Sequence, residues 1–144
     1  MGSPDFDIYA LNAGGGTLAL CPLPVGHLDR VRGWAPDLVI SMCEAHEMPN
    51  GLWNGFAMRH VPVVDYGVPE VGVWEGVEDV VLPILRRGGR VLIHCKGGCG
   101  RSGMAVLRLM LRAGEPDALA RLRTVRACAV ETEAQLAWAR EVGS

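Results

Sequence analysis

Short apolar runs alternate with longer amphipathic stretches along this chain. Three of the runs, at residues 37–42, 60–64 and 90–94, are separated by segments with helical periodicity. Such alternation of strands and helices predicts an α/β fold with a parallel sheet at its core. Residues 5–20 add two short strands that turn at Gly14-Gly15-Gly16. We therefore expect a central, mostly parallel, twisted sheet of four to five strands flanked by helices.

The helical segments have recognisable ends. Apolar spacing predicts helices at 28–34, 73–87, 102–113, 118–126 and from residue 131 or 132 onward. Gly88-Gly89 and Gly114 are typical helix stops, and Asp117 is a typical N-cap. One or two further helical turns are expected at 43–48. These helices supply the crossovers that parallel strands require.

The segment 43–48 also contains side chains of the kind that bind metals. These are Cys43, Glu44, His46 and Glu47. No matching set of ligands stands at zinc-site spacing elsewhere in the sequence. We therefore predict neither a metal site nor a cofactor.

The composition is that of an ordinary folded domain. The 144 residues are 49% hydrophobic and 21% charged, so residues 1–144 are expected to form one domain with its own core. A net charge of −2 provides no basic field for nucleic acid. No apolar run reaches the length of about 18 residues that a membrane span needs. We expect a monomer that binds neither nucleic acid nor membrane.

The five cysteines indicate a cellular setting. Their number is odd and their spacing suggests no disulfide framework. The N-terminal residues also lack the charged and apolar regions of a secretory signal. These features favour a reducing, cytoplasmic location.

The candidate chemistry is concentrated in one stretch that joins the strand at 90–94 to the next helix, His94-Cys95-Lys96-Gly97-Gly98-Cys99-Gly100-Arg101-Ser102-Gly103. Its glycines at 97, 98 and 100 allow positive φ and a tight curl in which successive N–H groups point inward. The following helix adds unpaired N–H groups and a positive dipole end. We therefore predict that the amides of residues 96–101 form an oxyanion cradle.

Three side chains of this loop have predicted roles. Cys95 lies where the positive field favours a thiolate, so it is the predicted nucleophile. Arg101 can bind two phosphoryl oxygens through its planar guanidinium. Ser102 can donate its hydroxyl to the Cys95 sulfur. Because ligands of α/β sheets bind at the carboxyl ends of strands, the loop predicts a phosphate site with thiol chemistry.

Thiol attack on a phosphate ester needs an acid to protonate the leaving oxygen. Asp65 follows the apolar run at 60–64 and stands thirty positions before Cys95. A carboxylic acid there can serve first as general acid and then as the base that activates water. The alternative interpretation is a turn aspartate that caps its own loop. The alternative acids are Glu70, Glu75 and Asp79.

The stretch from His94 to Gly103 resembles the signature of the cysteine-dependent protein tyrosine phosphatases. Within them it is most similar to the small dual-specificity branch of the kinase-associated phosphatase type. Residues Val61–Pro69 resemble the general-acid loop of that branch, and residues Arg123–Gln135 resemble its C-terminal pattern. There Ala127-Cys128 stands in place of the usual Arg-Pro turn, which leaves a supporting role for Arg126 open.

The resemblance implies a phosphatase-type fold and a reaction. The expected activity is hydrolysis of phosphate monoesters, on phosphotyrosine and also on phosphoserine or phosphothreonine, through a phosphocysteine intermediate. The expected partner is therefore a phosphorylated protein or a small phosphate ester.

Four further residues have less specific signals. His94 is expected to face away from the substrate and to orient the loop by hydrogen bonding. Lys96 and Cys99 are expected near the mouth, where oxidation could join Cys99 to Cys95. Gln135 is expected on a helix surface or half-buried, with positioning of the hydrolytic water as the alternative.

Two other functions are compatible with an oxyanion loop that carries a cysteine. One is thiol redox chemistry of the arsenate-reductase or rhodanese kind. The other is a module that binds phosphoproteins without hydrolysing them. The presence of Cys95, Arg101 and Asp65 together favours the phosphatase.

Overall fold

The computed structural model describes residues 6–141. Along the chain its elements are β1 (Tyr9–Ala13), β2 (Gly16–Cys21), α1 (Leu28–Trp34), β3 (Leu38–Ser41), β4 (Met58–His60), α2 (Val77–Arg86), β5 (Arg90–His94), α3 (Gly100–Arg112), α4 (Ala118–Val125) and α5 (Glu133–Arg140). One turn of 3-10 helix, Ala45–Glu47, follows β3. Within residues 6–141, no helix is long and apolar enough to cross a membrane.

In this part of the chain the strands form a five-stranded sheet with the order β1-β2-β5-β3-β4. β1 and β2 are antiparallel neighbours, whereas β2, β5, β3 and β4 pair in parallel. The prediction of a mostly parallel α/β sheet of four to five strands is confirmed. The antiparallel pair is the N-terminal hairpin, and residue 5 of its predicted range lies outside the described residues.

Side chains alternate across the central strands, so apolar groups cover both faces of the sheet. In β2, Leu18 and Leu20 join a large cluster with α2, α3, α4 and α5. Ala19 and Cys21 face the other way and join a smaller cluster with α1 and residues 48–56. Strands covered on both faces consist of continuous apolar runs, which is the pattern that the sequence shows.

The strand predicted at 60–64 lies earlier in the structure, at Met58–His60. The chain leaves strand geometry after this point. However, the N–H groups of Val61 and Val63 still donate, at 2.8 and 3.3 Å, to carbonyls at and just after the end of β3. These two bonds guide the chain along the edge of the sheet towards Asp65.

The start of one helix and the N-cap of another also differ from the prediction. α2 begins at Val77 and not at residue 73, because Gly76 has a φ of +80° that interrupts the helical pattern. Asp117 precedes α4 as predicted, but its φ is +52° and its side chain makes no capping hydrogen bond. At α5, by contrast, Thr132 accepts a hydrogen bond from the Gln135 N–H at 3.0 Å, so the predicted start at residue 132 is confirmed.

The topology brings three segments to one edge of the sheet. Because β3, β4 and β5 are parallel, the loop after β5, the 3-10 turn after β3 and the segment after β4 all follow carboxyl ends of strands. Ligand sites of open α/β sheets lie at this edge.

Candidate active site

Cys95 follows β5 directly and precedes the tight loop into α3. Its side chain is buried, with Sγ 3.2 Å from Ser102 Oγ. The backbone N–H of Ser102 also points at the sulfur, at 3.5 Å. Ser102 lies in the first turn of α3, so unpaired N–H groups and the positive end of the helix adjoin the thiol. The structure thus brings Cys95 and Ser102 together at the N-terminal end of α3.

Gly98 shapes the loop. Its φ is +71°, and a Cβ at this position would stand 2.6 Å from the backbone nitrogen of Pro22. Any other residue would therefore be strained. The prediction of positive φ is wrong for Gly97 and Gly100, neither of which adopts it. Gly100 is instead the first residue of α3.

Arg101 is buried, with a side chain only 1% exposed. Its Nη1 donates to Glu47 Oε1 at 2.8 Å and to the carbonyl of Val63 at 2.8 Å. Nη2 donates to Glu47 Oε2 at 3.0 Å. Among residues 6–141, Nε has no hydrogen-bond partner although it is buried. An unpaired buried donor is costly, and an oxyanion would satisfy it.

Glu47 and Arg101 form a charged pair. The hydrogen bonds from Arg101 lower the pKa of Glu47 to about 2, which outweighs the opposing effect of burial. Burial lowers the pKa of Arg101, but Glu47 together with the nearby Cys95 and Cys43 more than compensates, and the net change is a rise. Both groups are therefore ionised at neutral pH, and the guanidinium plane is fixed by its two-point contact with the carboxylate.

Asp65 lies within reach of the same guanidinium. Its Oδ1 is 3.6 Å from Arg101 Nη2, and its side chain is 55% exposed. Asp65 and Cys95 line one cavity of about 220 Å³. The other lining residues are Tyr66, Lys96, Gly97, Cys99, Gly100 and Glu131. The alternative acids Glu70, Glu75 and Asp79 do not line this cavity.

His94 is fully buried beneath the loop. Its Nδ1 lies 3.1 Å from the carbonyl oxygen of Cys95, and Trp53 Nε1 donates to its Nε2 at 3.2 Å. The carbonyl oxygen can only accept a hydrogen bond, and the indole N–H can only donate one. Nδ1 of His94 therefore carries the proton, and Nε2 is the acceptor. Burial lowers the pKa of His94 to about 4, so the ring is neutral at pH 7. The imidazole does not line the cavity, and it supports the backbone of Cys95.

The cysteine spacing suggests no disulfide framework, but the described residues contain one disulfide that the sequence does not predict. Cys99 is bonded to Cys128, with an S–S distance of 2.06 Å. Cys99 is therefore unavailable for the predicted disulfide with Cys95, because the turn after α4 holds its sulfur. The free thiols of the described chain are Cys21, Cys43 and Cys95. Burial raises the pKa of the Cys43 thiol to about 12 and also raises that of Cys21.

Arg126 supports the loop from outside. Its Nε donates to the carbonyl of Gly98 and its Nη2 to the carbonyl of Gly97, both at 3.1 Å. Its guanidinium lies 4.3 Å from the ring centre of Tyr9, and Nη1 donates to the Tyr9 hydroxyl. These bonds fix the direction of the two loop carbonyls. Arg126 therefore supports the loop through its backbone carbonyls, a role that the sequence left open.

Gln135 is fully buried, so the prediction of a surface or half-buried side chain is wrong. Its Oε1 accepts from the N–H groups of Glu131 and Thr132, and its Nε2 donates to the carbonyl of Gly67. It thereby joins the start of α5 to the segment that carries Asp65.

Sequence reasoning overlooked Glu47 as part of this site. The signal was present, since Glu47 lies shortly after β3, and the carboxyl end of β3 adjoins that of β5. The pairing of Cys99 with Cys128 had no comparable signal. The two residues are 29 positions apart and become neighbours only when α4 packs beside α3.

Comparisons with known proteins agree with this geometry. Residues 38–115, more than half of the chain, match a protein family described as "Polymorphic toxin system, DSP-PTPase phosphatase". A structure of Tk-PTP in its active form is 31% identical, covers 94% of both chains and has a TM-score of 0.74. A structure of kinase-associated phosphatase, with its catalytic-site cysteine replaced by serine, has a TM-score of 0.81 at 22% identity and covers 97% of this chain and 95% of that one. The latter likeness shows the fold.

Curated relatives give the same result. An uncharacterized protein of Methanocaldococcus jannaschii is 31% identical over 119 residues, which cover 78% of this chain and 76% of the relative. Cyclin-dependent kinase inhibitor 3 is 39% identical over 57 residues in mouse and 35% identical over 77 residues in rat. These matches cover 39% and 50% of this chain, but only 26% and 36% of those relatives' length.

A buried thiol at the start of a helix, an arginine in the same loop and a nearby carboxylate are the features of a cysteine-dependent phosphatase. The chain belongs to the dual-specificity and protein tyrosine phosphatase family that its residues 38–115 match. The resemblance to the small dual-specificity phosphatases, near the kinase-associated type, is confirmed.

Proposed function

We propose that this chain hydrolyses phosphate monoesters through a phosphocysteine formed on Cys95. The observation that carries the proposal is the cavity that both Cys95 and Asp65 line. A phosphoryl group in this cavity would lie against both side chains, which supports Cys95 as the nucleophile and Asp65 as the acid. This juxtaposition is what in-line phosphoryl transfer between two oxygen or sulfur atoms requires.

The first step transfers the phosphoryl group to sulfur. The Cys95 thiolate attacks phosphorus, so a P–S bond forms while the bond from phosphorus to the ester oxygen breaks. Asp65, in its acid form, gives its proton to the departing oxygen. The N–H groups of residues 96–101 and the Nε and Nη2 groups of Arg101 bind the equatorial oxygens, whose charge they stabilise.

The second step releases inorganic phosphate. Water attacks phosphorus and gives a proton to the Asp65 carboxylate, while the P–S bond breaks and the electron pair returns to Cys95. Ser102 Oγ, 3.2 Å from Sγ, donates to the departing sulfur. The enzyme returns to its starting state, with a thiolate at Cys95 and a protonated Asp65, and no other reactant is needed.

The remaining predicted site residues bind the substrate phosphate or support the loop that binds it. Lys96, the only lysine in the sequence, is exposed at the cavity and adds positive charge for an anionic substrate. Gly97, Gly98 and Gly100 contribute backbone N–H groups, as does Cys99. His94 holds the carbonyl of Cys95 and takes no proton from the substrate.

The family match favours the phosphatase over the two alternatives. The match of residues 38–115 to a phosphatase family favours ester hydrolysis over redox chemistry of the arsenate-reductase or rhodanese kind. A module that only binds phosphoproteins would have no need for Asp65 beside Arg101.

We propose phosphotyrosine, and also phosphoserine and phosphothreonine, as the substrate groups, carried by a protein or a small ester. The exposed side chains of Val64 and Tyr66 flank Asp65 and offer apolar contact to groups around the phosphate. A structural neighbour at 20% identity, PTPMT1, is known in complex with PI(5)P. An inositol phosphate is therefore a useful comparison substrate.

The wider setting is also part of the proposal. We propose that residues 1–144 act as a single phosphatase domain, because one sheet carries both apolar clusters. We also propose that this domain acts as a monomer and does not bind nucleic acid. We place it in the cytoplasm, where Cys95 stays reduced. Thiol labelling in cells tests this location, since a reducing compartment should also leave Cys99 and Cys128 labelled.

The test of the activity is a turnover assay with p-nitrophenyl phosphate in the presence of reductant. Cys95→Ser should have no detectable turnover, and Asp65→Asn should lose roughly 10²-fold to 10³-fold in kcat. Cys21→Ala removes a buried thiol from the other face of the sheet and should keep nearly full activity. Wild-type turnover by Cys95→Ser would reject the proposal, and reduction of arsenate would point to the redox alternative.

A further inference from the structure

Gln135 makes hydrogen bonds from both atoms of its side-chain amide. Oε1 accepts from the N–H of Glu131 at 2.8 Å and from the N–H of Thr132 at 3.3 Å. Nε2 donates to the carbonyl of Gly67 at 3.2 Å. Since the side chain is fully buried, no water competes for these bonds.

Gly67 ends the tight turn that carries Asp65. Its N–H donates to the carbonyl of Val64 at 2.8 Å, and Tyr66 between them has a φ of +65°. The Asp65 carboxylate accepts the N–H of Tyr66 at 3.0 Å. The turn is thus a small unit with its own internal bonds, so fixing one of its carbonyls fixes the direction of Asp65.

Few contacts join this turn to the rest of the protein. Among residues 6–141, two polar contacts link residues 64–67 to distant segments. One is the ion pair of Asp65 with Arg101 at 3.6 Å, and the other is the bond from Gln135 to Gly67. A phosphoryl group bound by Arg101 would compete for the first contact, which leaves the Gln135 bond to hold the turn.

The other side of Gln135 adjoins the phosphate loop. A Cβ on Gly100 would stand 3.0 Å from Gln135 Oε1, so the amide packs directly against the first residue of α3. The same residue therefore contacts the end of the loop that binds phosphate and the turn that carries the acid.

We propose that Gln135 is a positioning residue that holds the Asp65 turn over the phosphate loop. The inference depends on the proposed role of Asp65 as general acid. Positioning of the hydrolytic water, the alternative left open by the sequence, would require a free acceptor on the amide. Oε1 already accepts two N–H groups, so the geometry favours the acid step.

The variants Gln135→Glu and Gln135→Met separate the two sides of the amide. Glutamate keeps an acceptor for Glu131 and Thr132 but, as a carboxylate, cannot donate to Gly67. Methionine has a similar shape, carries no charge and cannot donate to Gly67. Both variants should therefore release the turn, and their agreement excludes an effect of the added charge on Asp65.

The measurement is kcat with two aryl phosphates that differ in leaving group. Phenyl phosphate needs protonation of its leaving oxygen more than p-nitrophenyl phosphate does. Each variant should lose roughly tenfold to a hundredfold in kcat with phenyl phosphate, and clearly less with p-nitrophenyl phosphate. KM should change little, because the phosphate loop is intact.

A double variant with Asp65→Asn distinguishes the possible failures. If Gln135 acts through Asp65, then Gln135→Met should cost nothing further in the Asp65→Asn background. An equal loss in both backgrounds, or a retained burst of phenol followed by slow phosphate release, overturns the positioning role. If Asp65→Asn alone shows wild-type dependence on the leaving group, the proposed function of Asp65 fails and the positioning role fails with it.

Discussion

Glu47 holds Arg101 by two parallel hydrogen bonds, from Nη1 to Oε1 at 2.8 Å and from Nη2 to Oε2 at 3.0 Å. The two side chains are 11% and 1% exposed, so the pair is almost fully buried. A fork-to-fork contact fixes both the position and the plane of the guanidinium. Glu47 thereby orients the arginine on which phosphate binding is proposed to depend, although it does not line the cavity of Cys95.

Replacement of Glu47 tests this relationship. Glu47→Gln should lower kcat/KM by about 10²-fold, because Arg101 is then misplaced relative to the phosphoryl oxygens. It should also destabilise the fold by about 3 kcal/mol, since a buried guanidinium loses its charged partner. Steady-state kinetics and urea unfolding measure the two effects. Glu70→Gln, an exposed carboxylate on the Asp65 segment, should change neither value, and equal behaviour of both variants would reject the role of Glu47.

Arg126 provides a second test, from the outside of the loop. Arg126→Ala removes the donors to the carbonyls of Gly97 and Gly98, so these peptides are free to rotate and the N–H cradle is weakened. We expect KM for p-nitrophenyl phosphate, and the inhibition constant of inorganic phosphate, to rise about tenfold. Tyr9→Phe keeps the stacked ring and loses only the hydroxyl contact, so its effect should be several-fold smaller. If Arg126→Ala bound phosphate as tightly as the wild type, the supporting role of Arg126 for the loop would be contradicted.

The disulfide between Cys99 and Cys128 should contribute to stability. It closes a loop with a sequence separation of 29, for which chain entropy predicts about 3 to 4 kcal/mol. Reductant should therefore lower the Tm of the wild-type protein and leave that of a Cys99→Ser/Cys128→Ser variant unchanged. Turnover should persist in the double variant, because Arg126 still holds the loop. Loss of turnover there would show that the disulfide, and not Arg126, maintains the cradle.

His94 should make stability depend on pH. The unfolded chain binds a proton at His94 near pH 6.5, whereas the folded chain does so only near pH 4. Between these values the unfolded state holds more protons, so the free energy of unfolding falls as pH falls from about 6.5 to about 4, by roughly 3 kcal/mol. Urea unfolding at several pH values should show this slope in the wild type and a smaller one in His94→Asn. If the free energy of unfolding had the same pH dependence in the wild type and in His94→Asn, the conclusion that the buried imidazole is neutral would be wrong.

Local patterns were sufficient to predict the loop from His94 to Gly103 and its place between a strand and a helix. The apolar run before Cys95 and the apolar helical segment after Ser102 are determined by burial on both faces of the sheet and by the burial of residues 100–110 of α3. Asp65 is identified from the sequence because the chemistry of Cys95 needs an acid, and Asp65 is the first acid after the predicted strand at 60–64. The structure places the two residues at one cavity.

Features that depend on packing between distant segments could not be predicted in the same way. The surroundings of Gln135 combine α5 with the Asp65 turn, and the partner of Cys99 is brought close by α4. The strand before Asp65 lies earlier than the apolar run at 60–64 predicts, for a related reason. Val61 and Val63 are buried like strand residues, but their backbone follows only the end of β3.

The central claim is that the phosphoryl group passes through the sulfur of Cys95. The most direct measurement is mass spectrometry of the peptide that contains Cys95, after acid quenching of enzyme that is turning over an aryl phosphate. Wild-type enzyme and Asp65→Asn should both show a phosphoryl group on Cys95, and Cys95→Ser should show neither phosphorylation nor turnover. Turnover without phosphorylated Cys95, or a phosphoryl group on any other side chain, would contradict the mechanism.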